Sequence, residues 1–169
     1  MVDIAIRPPE SKDDFDALRA LCRGYRIALC EATKDQPGIV ERYYDPSDFE
    51  TLLGELAALH APPGGVFLGL VDGTPLGCGM THHIAPGVAE IKRVYTAPPA
   101  RGLGLGRAIM QAAMDHARDS GATRMVLDTM RPLTSACRLY ETLGFEPIEP
   151  FYQPQPQWAD YILFYGRDL

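Results

Sequence analysis

The spacing of apolar and polar positions divides the chain into short strands and amphipathic helices. Ile4-Ala5-Ile6-Arg7 reads as a first strand, closed by Pro8-Pro9, since proline cannot donate to a sheet ladder. Phe15, Leu18, Leu21, Cys22, Tyr25 and Leu29 recur at helical spacing behind Ser11, an N-cap candidate with Asp14 in the first turn, and predict a helix over 12–29. Residues 31–46 are polar, carry Pro37-Gly38 and Asp45-Pro46, and predict a loop. Ser47-Asp48-Phe49-Glu50 has the capping-box pattern and opens a second helix that ends near His60, before Pro62-Pro63-Gly64-Gly65. The period then shortens. Residues 66–71 and 75–84 are strand-like runs joined across Asp72-Gly73, and Pro86-Gly87 turns into a third run at 89–96, giving three antiparallel strands in succession.

A helix follows at 104–119, with Leu105, Ile109, Ala112, Ala113 and Ala117 on its apolar face and Gly121 at its stop. Residues 125–129 form a buried-looking strand, and a helix at 133–142 is stopped by Gly144. Residues 145–148 and 161–165 make the last two strands, with a loop rich in proline and glutamine at 150–158 between them. This order predicts an α/β (α+β) protein: one domain over 1–169, with a mixed, mostly antiparallel central sheet covered by helices on both faces.

Composition narrows the field. At 169 residues the chain suits a single core, and 46% hydrophobic with 22% charged residues is ordinary for a soluble domain. No run approaches the roughly 18 apolar residues that span a bilayer, and the N-terminus shows no secretory pattern, so a cytoplasmic location without membrane attachment is expected. Cys22, Cys30, Cys78 and Cys137 form no CxxC pair and read as reduced thiols. His82-His83 would point to opposite faces of a strand, so no metal site is expected. A net charge of −6 opposes a nucleic-acid partner and is compatible with a cationic or amine substrate.

The chemistry concentrates in Glu90-Ile91-Lys92-Arg93-Val94-Tyr95-Thr96 and in Arg101-Gly102-Leu103-Gly104-Leu105-Gly106-Arg107, which runs directly into a helix. Glycines between a strand and a helix let backbone N–H groups face one concavity, where the helix N-terminus adds partial positive charge. Such a place attracts a phosphate, and Arg101 and Arg107 can add charged hydrogen bonds. The pattern completes neither GxGxxG nor a P-loop, and taken alone it is also compatible with a turn that merely lets strand and helix pack closely.

Arg101-x-x-Gly104-x-Gly106 resembles the Q/R-x-x-G-x-G/A motif of the GCN5-related N-acetyltransferases (GNAT), and Ala136-Cys137-Arg138-Leu139-Tyr140-Glu141-Thr142-Leu143-Gly144-Phe145 is similar to that family's A-x-x-L-Y-x-x-L-G-F block. The element order also fits the GNAT-like acyl-CoA N-acyltransferase fold. The resemblance implies acetyl-CoA as acyl donor and no metal. Its pyrophosphate would lie on the amides of Arg101, Gly102, Leu103, Gly104, Leu105, Gly106 and Arg107, and its pantetheine arm along Val94, Tyr95 and Thr96 of a strand bulged near its end. It further implies that the Tyr140 hydroxyl returns a proton to the departing thiolate. The stripe Ala136, Leu139, Tyr140, Leu143 equally allows Tyr140 to be core. Glu90, eleven residues before Arg101, stands where GCN5-type members carry a base that takes the proton of the amine; ordinary pairing with Lys92, Arg93 or a neighbouring strand is the alternative. Leu133 stands where many members have a cofactor-contacting Asn.

The implied reaction is direct transfer in a ternary complex to a primary amine, with small molecules as the expected partners, a protein or peptide N-terminus as an alternative, and homodimers common among relatives. In this fold the acceptor would lie between 30–46 and 150–160, which hold Glu31, Asp35, Glu41, Arg42, Tyr43, Tyr44, Phe151, Tyr152 and Trp158, with Asp128, Thr129 and Arg131 within reach at a strand end. Acidic and aromatic groups there would suit an amine. A non-catalytic acyl-CoA-binding module remains an alternative, as does a Rossmann-type nucleotide binder with Asp128 as its ribose-binding acid; the antiparallel hairpins oppose the latter.

Overall fold

A computed structural model describes residues 1–169. Its strands are β1 (Ile4–Arg7), β2 (Gly65–Val71), β3 (Thr74–Ala85), β4 (Val88–Thr96), β5 (Arg124–Met130), β6 (Glu146–Pro147) and β7 (Ile162–Asp168). The helices are α1 (Lys12–Ala32), α2 (Ile39–Tyr43), α3 (Pro46–Leu59), α4 (Leu105–Asp119) and α5 (Thr134–Thr142). The strands make one seven-stranded sheet in the order β1-β2-β3-β4-β5-β7-β6, antiparallel except for β4 beside β5. The expected mixed, mostly antiparallel sheet is therefore present.

Two cores sandwich this sheet. On one face, Leu18, Leu21 and Cys22 of α1 and Phe49, Leu53 and Leu56 of α3 pack on Leu68, Leu70, Cys78 and Met80. On the other, Leu105, Ile109, Met110, Ala113, Met114 and Ala117 of α4, with Cys137 and Tyr140 of α5, pack on Phe67, Ala89, Ile91, Met125 and Leu127. A third cluster joins Leu29, Ile39 and Val40 to Met130, Trp158, Ile162 and Phe164. Each fully buried Leu or Ile contributes roughly 1.5–3 kcal/mol of transfer free energy, so the burial of α1 in two of these clusters fixes its position on the sheet. No helix is long and apolar enough to cross a membrane.

Local signals explain most boundaries. Ser11 accepts from the Asp14 amide, and the Asp14 carboxylate reaches back to the Ser11 amide and takes Arg7 in a two-point ion pair, tying α1 to β1. Asp72 and Gly73 both have positive φ (48° and 78°), which matches the right-handed twist of the β2–β3 hairpin. Three expectations are corrected. The loop at 31–46 contains α2, because Ile39 and Val40 can bury against α1 and β7. The cap of α3 is Asp45, which accepts from Ser47 and Asp48 with Pro46 at the first helical position, and so displaces the Ser47–Glu50 box. The strand expected at 145–148 keeps only two paired residues, since Glu146 and Pro147 lie at the sheet edge, where nothing continues the ladder.

Candidate active site

The site is built around an irregularity in β4. Met80 pairs with Lys92 and Cys78 with Tyr95, so Arg93 and Val94 together oppose Gly79 alone. Arg93 adopts φ 51°, a left-handed conformation unusual for a residue with a Cβ. The bulge breaks the alternation of side chains. Ile91 and Val94 both face α4, whereas Lys92 faces a cavity beneath α3 and Arg93 packs against Met80 and His60 on that same side. Two consecutive cations thus project to one face.

Beside it the sheet opens. β4 and β5 pair only over Val88–Glu90 against Arg124–Val126, and beyond Glu90 the β5-facing edge of β4 has no ladder partner. Backbone groups of Val94, Tyr95 and Thr96 on that edge are free to pair with an extended ligand. Just past them, a short 3-10 turn at Pro98–Ala100 leads into the glycine loop, where Gly102 and Gly104 take φ 79° and 90°. The first backbone bond of α4 is Ala108 to Gly104, so the amides of Leu105, Gly106 and Arg107 point out of the helix N-terminus without a backbone acceptor. Gly106 lets α4 come close to α5: a Cβ there would meet Leu139 Cδ2 at 3.3 Å, a tight contact that the end of the leucine side chain must ease. Leu105 is buried in the core, so it can serve a ligand only through its backbone, whereas the Leu103 side chain is exposed. The Arg101 Nε donates to the Thr96 carbonyl at 3.3 Å and keeps its guanidinium beside the loop. Arg107 donates to Thr142 Oγ1 at 2.8 Å, bridging α4 to α5.

Tyr140 and Glu90 lie on opposite sides of the sheet. Tyr140 is 6% exposed, packed between Phe145 and Tyr165, and burial pushes its hydroxyl well above the usual phenol range. Its ring is core, as the helical stripe allowed, and the hydroxyl holds its proton throughout the neutral range. Glu90 is 5% exposed, with His82 Nε2 at 2.6 Å from one oxygen and Lys92 Nζ at 3.0 Å from the other. Burial opposes its ionisation, but the His82 hydrogen bond and the Lys92 charge outweigh that and hold the carboxyl below its usual range. It pairs with Lys92 and not with Arg93.

The cavity of about 300 Å³ under α3 is walled by Arg42, Tyr43, Tyr44 and Asp45 before the helix, Asp48, Phe49 and Leu52 on it, Lys92 and Arg93 from β4, Asp128 and Met130 from β5, and Tyr152 and Ile162. The two segments expected to frame an acceptor do meet here, through Arg42, Tyr43, Tyr44 and Tyr152. Others do not. Glu31 pairs with Lys34, Asp35 accepts from Tyr161, Phe151 packs on Phe164, Trp158 is buried against Tyr43, and Arg131 binds the Asp160 carbonyl. Glu41 and the buried Thr129 are likewise absent from the wall. Asp128 does reach it: Tyr152 donates to its carboxylate at 2.6 Å, yet burial prevails and raises its pKa. Lys92 and Arg93 as cavity walls, and His60 and His82 behind them, were missed in the sequence. Strict alternation would have sent Arg93 away from Lys92, and only the bulge signals otherwise.

The Acetyltransferase (GNAT) family model matches residues 26–145. An uncharacterised N-acetyltransferase of Schizosaccharomyces pombe is 41% identical over 96 residues, covering 55% of this chain and 59% of that protein; the matched segment is thus little more than half of the relative. An IAA acetyltransferase of Azospirillum brasilense is 32% identical over 114 residues, covering 66% of this chain and 74% of its own. The structure of an acetyltransferase from Salmonella typhimurium with its cofactor acetyl-CoA superposes with a TM-score of 0.67 at 20% identity, covering 98% of this chain and 93% of that one, which shows a shared fold. With residues 26–145, more than half of the chain, matched by the family model, the chain belongs to the GNAT family of acetyltransferases.

Proposed function

We propose that the protein transfers the acetyl group of acetyl-CoA directly to a primary amine of a small molecule. The observation that carries this is the divergence of β4 and β5 beyond Glu90 and Val126, which leaves the β4 edge between the cavity residues and the glycine loop without a strand partner. Acetyl-CoA fits the glycine-loop end of that edge. Its pyrophosphate would take the amides from Gly102 to Arg107 and the Arg101 guanidinium, and its pantetheine arm the edge of Val94–Thr96. The amine enters from the cavity, loses a proton to a carboxylate, and attacks the acetyl carbonyl. The C–S bond breaks, and Tyr140 hydrogen-bonds or protonates the departing sulfur. Glu90 is the base in this scheme, acting through water, because it is ionised and adjacent to Lys92.

A second assignment of the base has its own support. Asp128 lines the cavity, which Glu90 does not, and its raised pKa suits proton uptake. The test of the function as a whole is release of CoA thiol from acetyl-CoA with a panel of amines, alongside calorimetric titration of acetyl-CoA. Arg101→Ala should weaken acetyl-CoA binding roughly tenfold, as expected for loss of a charged hydrogen bond. An unchanged dissociation constant removes the arginine from the pyrophosphate site, and a parent protein that binds no acetyl-CoA refutes the donor assignment.

A further inference from the structure

The acceptor cavity carries charge of both signs, and the basic part is placed with unusual care. Arg93 is 5% exposed and no carboxylate faces it: its Nε meets Met80 Sδ at 3.1 Å and its NH2 group meets His60 Nε2 at 2.8 Å. His60 is also committed. Its Nδ1 donates to the Thr81 carbonyl at 3.0 Å, so Nε2 is the acceptor for Arg93 and the ring is neutral. Burial accordingly drives the His60 pKa down to about 4. A guanidinium held out of water by a thioether and a neutral imidazole retains its full charge, and burying such a charge without a counterion is costly. Arg42 stands at the exposed rim of the same cavity and makes no ion pair. Lys92 lies between them, its charge directed to Glu90. Across the cavity, Asp128 offers the carboxylate not fully consumed by Tyr152.

Resting on the acetyl-transfer assignment above, we infer that the acceptor is an amino carboxylate, its amine directed at Asp128 and its carboxylate at Arg93 and Arg42. A polyamine would find Asp45, Asp48 and Asp128 as well as Lys92, Arg93 and Arg42 around the cavity, but neither it nor an arylalkylamine would supply a counterion to the buried Arg93. An α-amino acid neutralises it. The volume of about 300 Å³ admits a molecule of that size and leaves room for a side chain among Tyr44, Phe49 and Tyr152.

The experiment compares each of a set of α-amino acids with its own decarboxylated amine and its own carboxamide. Both kcat/KM for CoA release and binding to the CoA-loaded protein by calorimetry are read. The expected result is that the best amino acid exceeds both of its partners roughly tenfold or more, the scale of one charged hydrogen bond. Arg93→Gln should bring that ratio close to one with the CoA dissociation constant unchanged, and rim-located Arg42→Gln should lower it in a fold left intact. Equal or better use of the decarboxylated amines or carboxamides overturns the inference, as does the absence of any amino acid that binds the CoA-loaded protein. Those results leave CoA binding intact and so differ from failure of the donor site, which would abolish the CoA titration itself.

Discussion

At the scale of single residues, the site divides into groups that hold charge and groups that hold protons. Tyr140 has a buried ring and a hydroxyl pushed up by burial, so it is a proton holder at neutral pH. Tyr140→Phe should lower kcat while leaving the acetyl-CoA dissociation constant within about twofold of the parent, because one hydroxyl is lost from a ring whose packing stays; full turnover would reduce Tyr140 to a core residue. Glu90→Gln and Asp128→Asn separate the two candidate bases. The variant that removes the base should lose about a hundredfold or more in kcat/KM, measured by CoA release across pH, and the other should keep most of it. Tyr140 was legible in the sequence through the resemblance alone, since its helical stripe is equally a core stripe. Arg93 was not legible as a partner of Lys92, since adjacent strand residues diverge and only a backbone distortion reunites them.

At the scale of elements, the seating of α4 decides the geometry of the proposed donor site. The helix lies on a glycine-rich patch of the sheet: a Cβ at Gly79 would stand 2.8 Å from Ile109 Cγ2, and one at Gly77 would stand 2.8 Å from both Ile109 Cδ1 and Leu105 Cδ2. The Ile109 branch at Gly79 lies close to its own backbone and has little freedom to move aside. Gly79→Ala should therefore cost about 1–3 kcal/mol of stability and weaken acetyl-CoA binding, because the helix that presents the loop amides must shift. Denaturant melts and calorimetric titration check the two effects; a normal melt with normal affinity would show that α4 tolerates the displacement. The helix itself was readable from Leu105, Ile109, Ala113 and Ala117, whose spacing the fold buries as expected. The short helix α2 was not, since five residues are too few for periodicity and its formation depends on Ile39 and Val40 finding α1 and β7.

At the scale of the whole molecule, the element order and the run of three antiparallel strands followed from hydrophobic period and turn chemistry, whereas the strand order of the sheet and the cavity could not, because they depend on segments far apart in the chain. Stability under acid tests how these distant parts are coupled. His60 is held near a pKa of about 4, against the usual 6.5. Between those values the unfolded chain binds the extra proton and the folded chain does not, so stability falls as pH drops from about 6.5 to about 4 and this contribution then levels off. Asp14 works lower. Its carboxyl, held down first by the Arg7 hydrogen bonds and then by the Glu10 amide, stays ionised in the fold while the unfolded chain protonates near pH 4, so its stabilisation is present above that pH and lost below it. Thermal melts from pH 7 to pH 3 should show both losses, and His60→Gln should flatten the upper one alone. An unaltered slope between pH 6.5 and pH 4 in that variant would mean that His60 is not the group responsible.

The bulge at Arg93 gives one strand two reading frames. Upstream of it odd-numbered side chains look toward α4, and downstream the even-numbered Val94 does. A deletion of one residue within 93–94 would remove the bulge and restore strict alternation: Tyr95 would stay opposite Cys78 and keep its face, but the cavity would lose one of its paired cations, because Arg93 would be either gone or turned toward the helix. Substitutions at 92 or 93 leave the frame intact. With donor and acceptor placed as proposed, point changes on this strand alter acceptor preference while donor binding, read from backbone atoms, is retained; loss of the bulge would disturb both together.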